Sequence, residues 1–318
     1  MKFNVFIKAL ASITVTLTSG CYAMTATTPF KGTFGLSSTI GLRPTMEDAH
    51  DIQTNFWPHG KSAFFAVYDG HGGDQVAHYL KRSLFSRIKQ ALRTVKNPQP
   101  ELIDLVIRTI FRRIDQEILT YLKHNGYNSG STAAIALVLN NHCFLIWCGD
   151  SRALVSRNGM LVGATVDHKP NSPAERQRLE KHGGSVINNR LHIPHGSIAV
   201  SRAFGDPDYK LQVKDGFIAA PSIKHLTVKP NDVIVVACDG LWDVYNNSQI
   251  AHLALTLSNE IKPGTTTLSD YPPFADDVHP DLKDRNARMD LIARAFIHKA
   301  LNKASTDNIS VIVANYKG

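Results

Sequence analysis

The chain has 318 residues and a mass of 35.0 kDa, and 43% of its residues are hydrophobic and 19% charged. This balance is typical of a globular protein and excludes a disordered, collagen-like or coiled-coil chain. The formal net charge of +8 favours anionic partners but does not select one kind among them. Because no long run of lysine and arginine is interleaved with aromatic residues, we expect no nucleic-acid partner.

The first residues differ in kind from the rest of the chain. Two lysines precede an uncharged stretch of apolar and small residues over 9–20, which leads into Cys21-Tyr22-Ala23. This pattern predicts an export signal over 1–23, and hence a protein that is exported, secreted or held in the cell envelope. A lipoprotein signal at Cys21 is an alternative, although Leu17 stands one place too early for it. If residues 1–23 are instead an ordinary tail that is not cleaved, the protein would stay in the cytoplasm. Neither this stretch nor any later one is long and apolar enough to predict a transmembrane span.

Six short runs further along the chain predict buried strands. They are rich in β-branched and aromatic residues and are bounded by Gly, Asp and Asn turns. The runs cover 62–68, 132–139, 142–148, 152–156, 232–238 and 309–316.

Four segments predict helices from their apolar spacing or their caps. Apolar residues recur at three- and four-residue steps from Val76 to Val95 and again from Leu102 to Leu122. Ser172, followed by Pro173 and by Glu175, predicts a capping box and a helix that ends near His182, and a last helix covers about 287–301. Helices in pairs, followed by successive strands, do not fit a parallel repeat. They predict an α+β domain of mainly antiparallel sheets covered by helices.

Between 258 and 286 the sequence is typical of a long loop, with four prolines and many acidic residues. A loop of this length is uncommon inside a compact domain. It is interpreted as a surface insertion in a domain that covers 28–318, with a partner-binding segment as the alternative.

The spacing of the four cysteines indicates neither a disulfide nor a metal site. Cys143 and Cys148 are an odd number of positions apart on one predicted strand, so their side chains should face opposite sides of the sheet. No CxxC pair occurs. The cysteines within predicted strands are therefore interpreted as small buried apolar residues.

Acidic residues stand at the ends of four predicted strands. Asp69, Asp150 and Asp239 each follow an apolar run and each adjoin a glycine, and Asp307 directly precedes the last strand. Singly, each Asp-Gly pair is typical of a turn. Together, carboxylates at the ends of buried strands would repel one another unless a cation lies between them. Oxygen ligands without thiolates or paired histidines suit Mg²⁺ or Mn²⁺ better than Zn²⁺.

These residues lie in motifs that resemble the metal-dependent protein serine/threonine phosphatases of the type 2C (PPM) family, from about Gly35 to Tyr316. The matching segments are Arg43-Pro-Thr-Met-Glu-Asp-Ala-His50, Phe65-Ala-Val-Tyr-Asp-Gly-His-Gly-Gly73, Ser129-Gly-Ser-Thr-Ala133, Trp147-Cys-Gly-Asp-Ser-Arg-Ala153, Asp167-His-Lys-Pro170, Ala199-Val-Ser-Arg-Ala-Phe-Gly-Asp206, Cys238-Asp-Gly-Leu-Trp-Asp243 and Ser305-Thr-Asp-Asn308. The resemblance implies an αββα four-layer sandwich, two mainly antiparallel sheets flanked by helices, with a dinuclear Mg²⁺ or Mn²⁺ centre at one edge.

The resemblance also implies roles for individual residues. Asp69 would bridge two ions, the Gly70 carbonyl would bind one of them, and Asp239 and Asp307 would complete the shell of the other. Glu47 would hold water on the ions, and Asp150 and Asp243 match the positions of a looser third ion. Arg43 would grip the substrate phosphate, and His71 would protonate the leaving oxygen.

Simpler interpretations of the same residues stay open from the sequence. Arg43 could pair with Glu47 or Asp48 on a surface loop, and Asp48 could brace that loop. His71 could cap the helix that begins at Asp74, and Asp150 could only close a turn.

The implied reaction is direct hydrolysis of phosphorylated proteins by a monomeric enzyme. No CxxxxxR loop is present to support a cysteinyl-phosphate route. The helix over 172–184 and the loop to Asp206 correspond to the flap beside the family's active site. There Arg176, Arg178 and Lys181 could favour acidic phosphopeptides or form a solvated face. The alternatives to the enzyme are a non-catalytic phosphoprotein-binding module and a two-metal phosphodiesterase.

Overall fold

The computed structural model describes residues 29–265, 267–274 and 285–318. The strands in chain order are β1 (Gly32–Thr39), β2 (Ala49–Thr54), β3 (Ser62–Tyr68), β4 (Gly70–His71), β5 (Gly130–Ser131), β6 (Ala133–Leu139), β7 (His142–Cys148), β8 (Arg152–Arg157), β9 (Met160–Ala164), β10 (Ser185–Ile187), β11 (Arg190–Ile193), β12 (Gly196–Ile198), β13 (Phe204–Gly205), β14 (Ser222–Thr227), β15 (Val233–Ala237) and β16 (Ile309–Tyr316). The helices are α1 (Gln75–Leu92), α2 (Pro100–Asn125), α3 (Pro173–Lys181), α4 (Pro207–Val213), α5 (Asp239–Trp242), α6 (Asn247–Glu260) and α7 (Ala287–Leu301).

Two five-stranded antiparallel sheets form the centre of the fold. The first has the order β1-β16-β15-β8-β9 and the second the order β14-β7-β6-β3-β2. Their inner faces pack together, with Phe65 and Val138 of the second sheet in one buried cluster with Val155 and Ile234 of the first. This inner cluster is the part of the hydrophobic core that lies between the two sheets.

Strand β3 shows why the predicted strands read as continuous apolar runs. Phe64, Ala66 and Tyr68 face the helices, whereas Phe65 and Val67 face the other sheet. Because successive side chains point to opposite faces, and both faces are covered, all seven residues of β3 are buried.

Helices cover the outer face of each sheet. α1 and α2 pack on the second sheet through side chains such as Leu84 and Ile118. α6 and α7 pack on the first through side chains such as Leu257 and Phe296. The predicted αββα sandwich is therefore confirmed.

A smaller unit, here called the flap, lies between β9 and β14. It contains α3, the three-stranded sheet β10-β11-β12 and α4, around a separate apolar cluster that includes Leu179, Leu191 and Phe217. Short strands β4, β5 and β13 form another three-stranded sheet, which joins the flap to the second large sheet.

Two details of the predicted helices are wrong. The expected capping box does not form on α3, where Ser172 makes no side-chain cap and the Glu175 carboxylate is bound by arginines. On α2 the buried face begins with Ile103 and Ile107, while Leu102 is 39% exposed, because the later apolar residues fix the helix rotation.

The predicted strands and helices otherwise lie within three residues of their observed bounds, but the loop predicted from 258 begins later. α6 continues to Glu260, and the described residues 261–265 and 267–274 form neither helix nor strand. The rest of that insertion to 284, and the predicted signal over 1–23, lie outside the described residues. Among the described helices, none has the length and apolar character needed to cross a membrane.

The interpretation of the cysteines is confirmed for the three in the described ranges. Cys143, Cys148 and Cys238 are buried and free. Cys143 lies between the two sheets and Cys148 lies on the helix-covered face, as their odd spacing requires.

Candidate active site

The predicted acidic residues converge on one cleft at the edge of the two large sheets. The end of β3 carries Asp69, the turn after β7 carries Asp150, the start of α5 carries Asp239, and the turn before β16 carries Asp307. The cleft has a volume of about 600 Å³. Eight of the nine predicted site residues line it, namely Arg43, Glu47, Asp69, Gly70, His71, Asp150, Asp239 and Asp307.

Three carboxylates meet at the floor of this cleft. One oxygen each of Asp69, Asp150 and Asp239 lies within 4.8 Å of the others. The backbone of Asp69 is held by Thr132, whose hydroxyl accepts from the Asp69 N–H at 3.3 Å and whose N–H donates to the Asp69 carbonyl at 2.9 Å. The strand ends therefore impose the close approach of these charges.

The local environment disfavours charge on two of these carboxyl groups, those of Asp69 and Asp239. Burial, together with the neighbouring acids, raises the pKa of Asp69 and of Asp239 well above the ordinary value. A proton or a cation placed among such groups stabilises them strongly, because either reduces the repulsion between their negative charges.

Asp48 is a member of the acidic cluster that the sequence did not identify. It is 6% exposed, and its Oδ2 makes no hydrogen bond within the described part of the chain. It lies within 4.8 Å of Asp69 and of the Cys238 sulfur. Burial, with the charges of Asp307 and Glu47, raises the pKa of Asp48 to about 6. A buried carboxylate oxygen without a donor, beside other hard oxygen atoms, fits a site for divalent cations such as Mg²⁺ or Mn²⁺.

Glu47 is held over the same cleft by its own loop. Gly73 N–H donates to Oε2 at 3.2 Å and the Thr45 hydroxyl donates to Oε1 at 3.1 Å. The Glu47 N–H donates to Asn308, the neighbour of Asp307, at 2.9 Å. A Cβ on Gly70 would lie 2.3 Å from the Glu47 carbonyl oxygen, so this approach requires glycine.

Arg43 pairs with neither of the partners considered from the sequence. Its Nη2 donates to Asp307 Oδ2 at 2.6 Å, and its side chain is 56% exposed. The guanidinium therefore lies at the mouth of the cleft, beside one of the carboxylates expected to bind metal.

His71 lies against Asp206 and does not cap α1. Its Nε2 is 2.9 and 3.0 Å from the two Asp206 carboxylate oxygens, and Asp206 is 3% exposed. Burial alone would lower the pKa of His71, but the charge and hydrogen bond of Asp206 outweigh it and raise that pKa. Asp206 ends the motif 199–206, yet its sequence position alone indicated no partner for it.

Asp150 and Asp243, the two residues expected to hold a third ion, differ from each other in burial and in position. Asp150 is 3% exposed and forms an ion pair with Lys169, a contact that the sequence did not predict. Asp243 is exposed, follows Asp239 by one helical turn and does not line the cleft. Although the residue is exposed, partial desolvation of its carboxyl group raises its pKa, as does the charge of Asp150, while Lys169 acts in the opposite direction.

The basic residues of α3 do not face the cleft. Arg178 and Arg202 bind the buried Glu175 carboxylate, and Arg176 pairs with Glu180 on the exposed face. Neither these residues nor Lys181 are among those that line the cleft, where the flap contributes Arg190 and residues 197–200.

Comparisons with known proteins agree on one family. The family model described as protein phosphatase 2C matches residues 33–309. Mouse protein phosphatase 1B is 34% identical over 298 residues, which cover 88% of this chain and 69% of the mouse protein. Human protein phosphatase 1B is 33% identical over 306 residues, which cover 88% of this chain and 56% of the human protein. The chain thus spans between about half and two thirds of the length of these relatives.

A solved structure shares the fold. The serine-threonine phosphatase 2C from Toxoplasma gondii superimposes with a TM-score of 0.71 over 92% of this chain and 97% of that chain, at 22% identity. Fold, cleft and relatives together define a protein serine/threonine phosphatase. The chain belongs to the protein phosphatase 2C family, whose members depend on metal ions.

Proposed function

We propose that the chain hydrolyses phosphomonoesters on serine and threonine residues of proteins, with two divalent cations, Mg²⁺ or Mn²⁺, held in the acidic cleft. The approach of Asp69, Asp150 and Asp239 to within 4.8 Å carries the proposal. Burial and mutual repulsion disfavour charge on Asp69 and Asp239, so a cation placed among these carboxylates would stabilise their ionised forms. The oxygen-rich donor set favours hard cations over zinc.

Four groups of the chain would hold the two ions. Asp69 would contact both, the Gly70 carbonyl one of them, and Asp239 and Asp307 the other. Glu47 would orient water. Asp150 would hold a looser third ion only in exchange for its ion pair with Lys169, and its expected partner Asp243 lies outside the residues that line the cleft. When bound, the ions supply a water of lowered pKa and neutralise charge on the phosphoryl group.

Arg43 and His71 act on the substrate. The guanidinium of Arg43 carries five N–H donors, so it can hold the phosphoryl oxygens while still facing Asp307. His71 protonates the leaving oxygen, because a serine alkoxide is a poor leaving group. Since Asp206 engages Nε2, Nδ1 is the nitrogen that gives up this proton.

A non-catalytic binding module is less well supported by the same residues. Such a module has no need of the metal carboxylates, whereas Asp69, Asp239 and Asp307 all line the cleft here.

Hydrolysis of a phosphoserine peptide by the purified chain tests the proposal. We expect turnover with Mn²⁺ or Mg²⁺, none in EDTA, and a loss of about 100-fold or more in kcat for Asp239→Asn. Asp104→Asn is the matched control, because Asp104 lies on α2 in a surface ion pair with Arg108. Activity that survives EDTA would contradict the proposal, and so would faster cleavage of a phosphodiester than of the peptide.

We also propose that the protein is exported through its first 23 residues. The basic start, the uncharged stretch and Cys21-Tyr22-Ala23 support this. Amino-terminal sequencing of the protein from its native cells should begin at Met24. A mature chain that begins at Met1 would contradict export by cleavage.

A further inference from the structure

A second cleft lies away from the acidic one, between α6 and the end of α7. Its volume is about 450 Å³. It is called the α6–α7 groove here and is lined by Tyr245, Gln249, His252, Leu253, Lys299, Asn302 and Lys303.

The groove presents hydrogen-bond donors and no carboxylate. Its strongly basic members are Lys299 and Lys303, and neither forms an ion pair with any residue in the ranges that the structure describes. The Gln249 side-chain oxygen already accepts from the Asn246 N–H at 2.9 Å, so its NH₂ group is the end left for a ligand. His252 and Asn302 are exposed and add further polar atoms.

Aromatic rings lie beside both ammonium groups, and the contact of Lys303 is the closer one, since Lys299 Nζ is 5.9 Å from the centre of the Tyr271 ring. Lys303 Nζ lies 4.1 Å from the centre of the Tyr245 ring and 3.4 Å from the Val244 carbonyl oxygen. The Tyr245 hydroxyl in turn donates to the Lys299 carbonyl at 3.3 Å. These contacts hold Lys303 over the groove without neutralising its charge, since a ring face and a carbonyl carry no net charge.

Two segments that line the groove adjoin acidic residues along the chain. Tyr245 stands two residues after Asp243, and Lys303 stands four residues before Asp307. The two segments are joined again where the Ser305 hydroxyl donates to the Gly240 carbonyl at 2.6 Å. A ligand in the groove would therefore contact both segments that carry metal-binding candidates.

Lysines at the carboxyl end of a helix interact favourably with the helix dipole, and this accounts for part of the reason why Lys299 and Lys303 stand at the end of α7. It does not account for the placement of both lysines along one groove with a tyrosine, a glutamine amide and an asparagine. We propose that the α6–α7 groove binds a phosphate-type oxyanion, supplied by free phosphate or by a phosphorylated side chain.

Calorimetry on the full chain in EDTA, at constant ionic strength, tests this. The Arg43→Ala background removes the phosphate-binding candidate of the acidic cleft and leaves the groove intact. We expect saturable binding of inorganic phosphate that weakens at least about tenfold in Lys299→Gln/Lys303→Gln. Lys96→Gln/Lys123→Gln loses the same charge from exposed positions elsewhere and should bind as its parent does.

Two further titrations complete the test, one of the arginine variant with phosphate and one with a phosphoserine peptide. Lys299→Arg/Lys303→Arg should bind phosphate as the parent does. The circular dichroism of this variant and of the glutamine variant should match that of the parent, which shows that both are folded. A phosphoserine peptide that binds more tightly than phosphate assigns the groove to phosphorylated segments, and equal affinity assigns it to free phosphate. Absence of phosphate binding in the Arg43→Ala chain would overturn the proposal, as would binding that is unchanged in Lys299→Gln/Lys303→Gln. Neither result depends on whether the chain is catalytically active.

Discussion

Two histidines show how single neighbours set the chemistry of a residue in this molecule. His71 lies against the buried carboxylate of Asp206, which raises its pKa. His168 accepts from the Gly149 N–H at 3.1 Å, stacks on Trp147 and is 5% exposed. Burial, with the charge of Arg202, lowers the pKa of His168 to about 3. Asp206 therefore favours the protonated form of His71, whereas burial favours the neutral form of His168.

Asp206→Asn should impair the step that depends on His71 more than the rest of the reaction. We expect kcat for a phosphoserine peptide to fall by about 10- to 100-fold, since general acids contribute on this scale. p-Nitrophenyl phosphate, whose leaving group needs no proton, should react within about threefold of the parent rate. Asp208→Asn is a nearby control, because Asp208 is bound by Asn128 and not by His71. Equal losses on both substrates would mean that Asp206 acts on the fold alone.

His168 should make the folded state sensitive to acid. Its pKa is about 3 in the folded chain and 6.5 when unperturbed, so the unfolded state binds the extra proton between these values. The stabilisation is therefore complete above pH 6.5 and is lost as the pH falls towards 3, by as much as about 1.4 kcal/mol per pH unit. Urea unfolding measured from pH 7 down to pH 4, which enters the range of about 3 to 6.5 from above, should show a shallower decline for His168→Gln than for the parent. An identical slope in the two proteins, with exposed His124→Gln as control, would contradict this assignment.

At the scale of elements, the sequence predicted best where both faces of a strand are covered. β3, β7 and β16 are continuous apolar runs, and their predicted and observed bounds coincide. The flap strands β10 to β12 are short, and most of their residues are exposed or half-buried, so no apolar run marked them. α6 was also missed, although Asn246 and Gln249 form the capping box that marks its start. On α3 the capping pattern misled, because the tertiary partners of Glu175 outweigh a local hydrogen bond.

Glu175 should anchor the flap. Its carboxylate is 7% exposed and receives Arg178, Arg202 and the Ser201 hydroxyl, which together lower its pKa despite burial. Glu175→Gln leaves two arginines partly buried without a counter-charge, so we expect the free energy of unfolding to fall by about 3 kcal/mol. Faster proteolysis within residues 182–200 should accompany this loss.

Glu180→Gln is the matched control for that experiment. Glu180 is on the same helix and also pairs with an arginine, but its side chain is 46% exposed, so its loss should cost under about 1 kcal/mol. Equal effects of the two substitutions would show that burial of the Glu175 cluster is unimportant.

At the scale of the whole molecule, the sequence located the acidic cleft because its carboxylates follow recognisable strands. Asp69, Asp150, Asp239 and Asp307 are far apart in the chain, yet strand ends at one edge bring them together. The sequence did not predict a role at the cleft for Asp48, Lys169 or Asp206, because each depends on contacts with residues that are distant in the chain. The exposed position of Asp243 could likewise not be read from its motif.

Counting the divalent cations that the chain binds tests the central claim most directly. Calorimetric titration of the chelated protein with Mn²⁺ should give two tight sites per chain, and phosphoserine hydrolysis should appear as they fill. Asp69→Asn should lose both sites, because one carboxylate serves both ions in this account. A chain that binds no Mn²⁺ tightly, or whose binding is unchanged by Asp69→Asn, would contradict it.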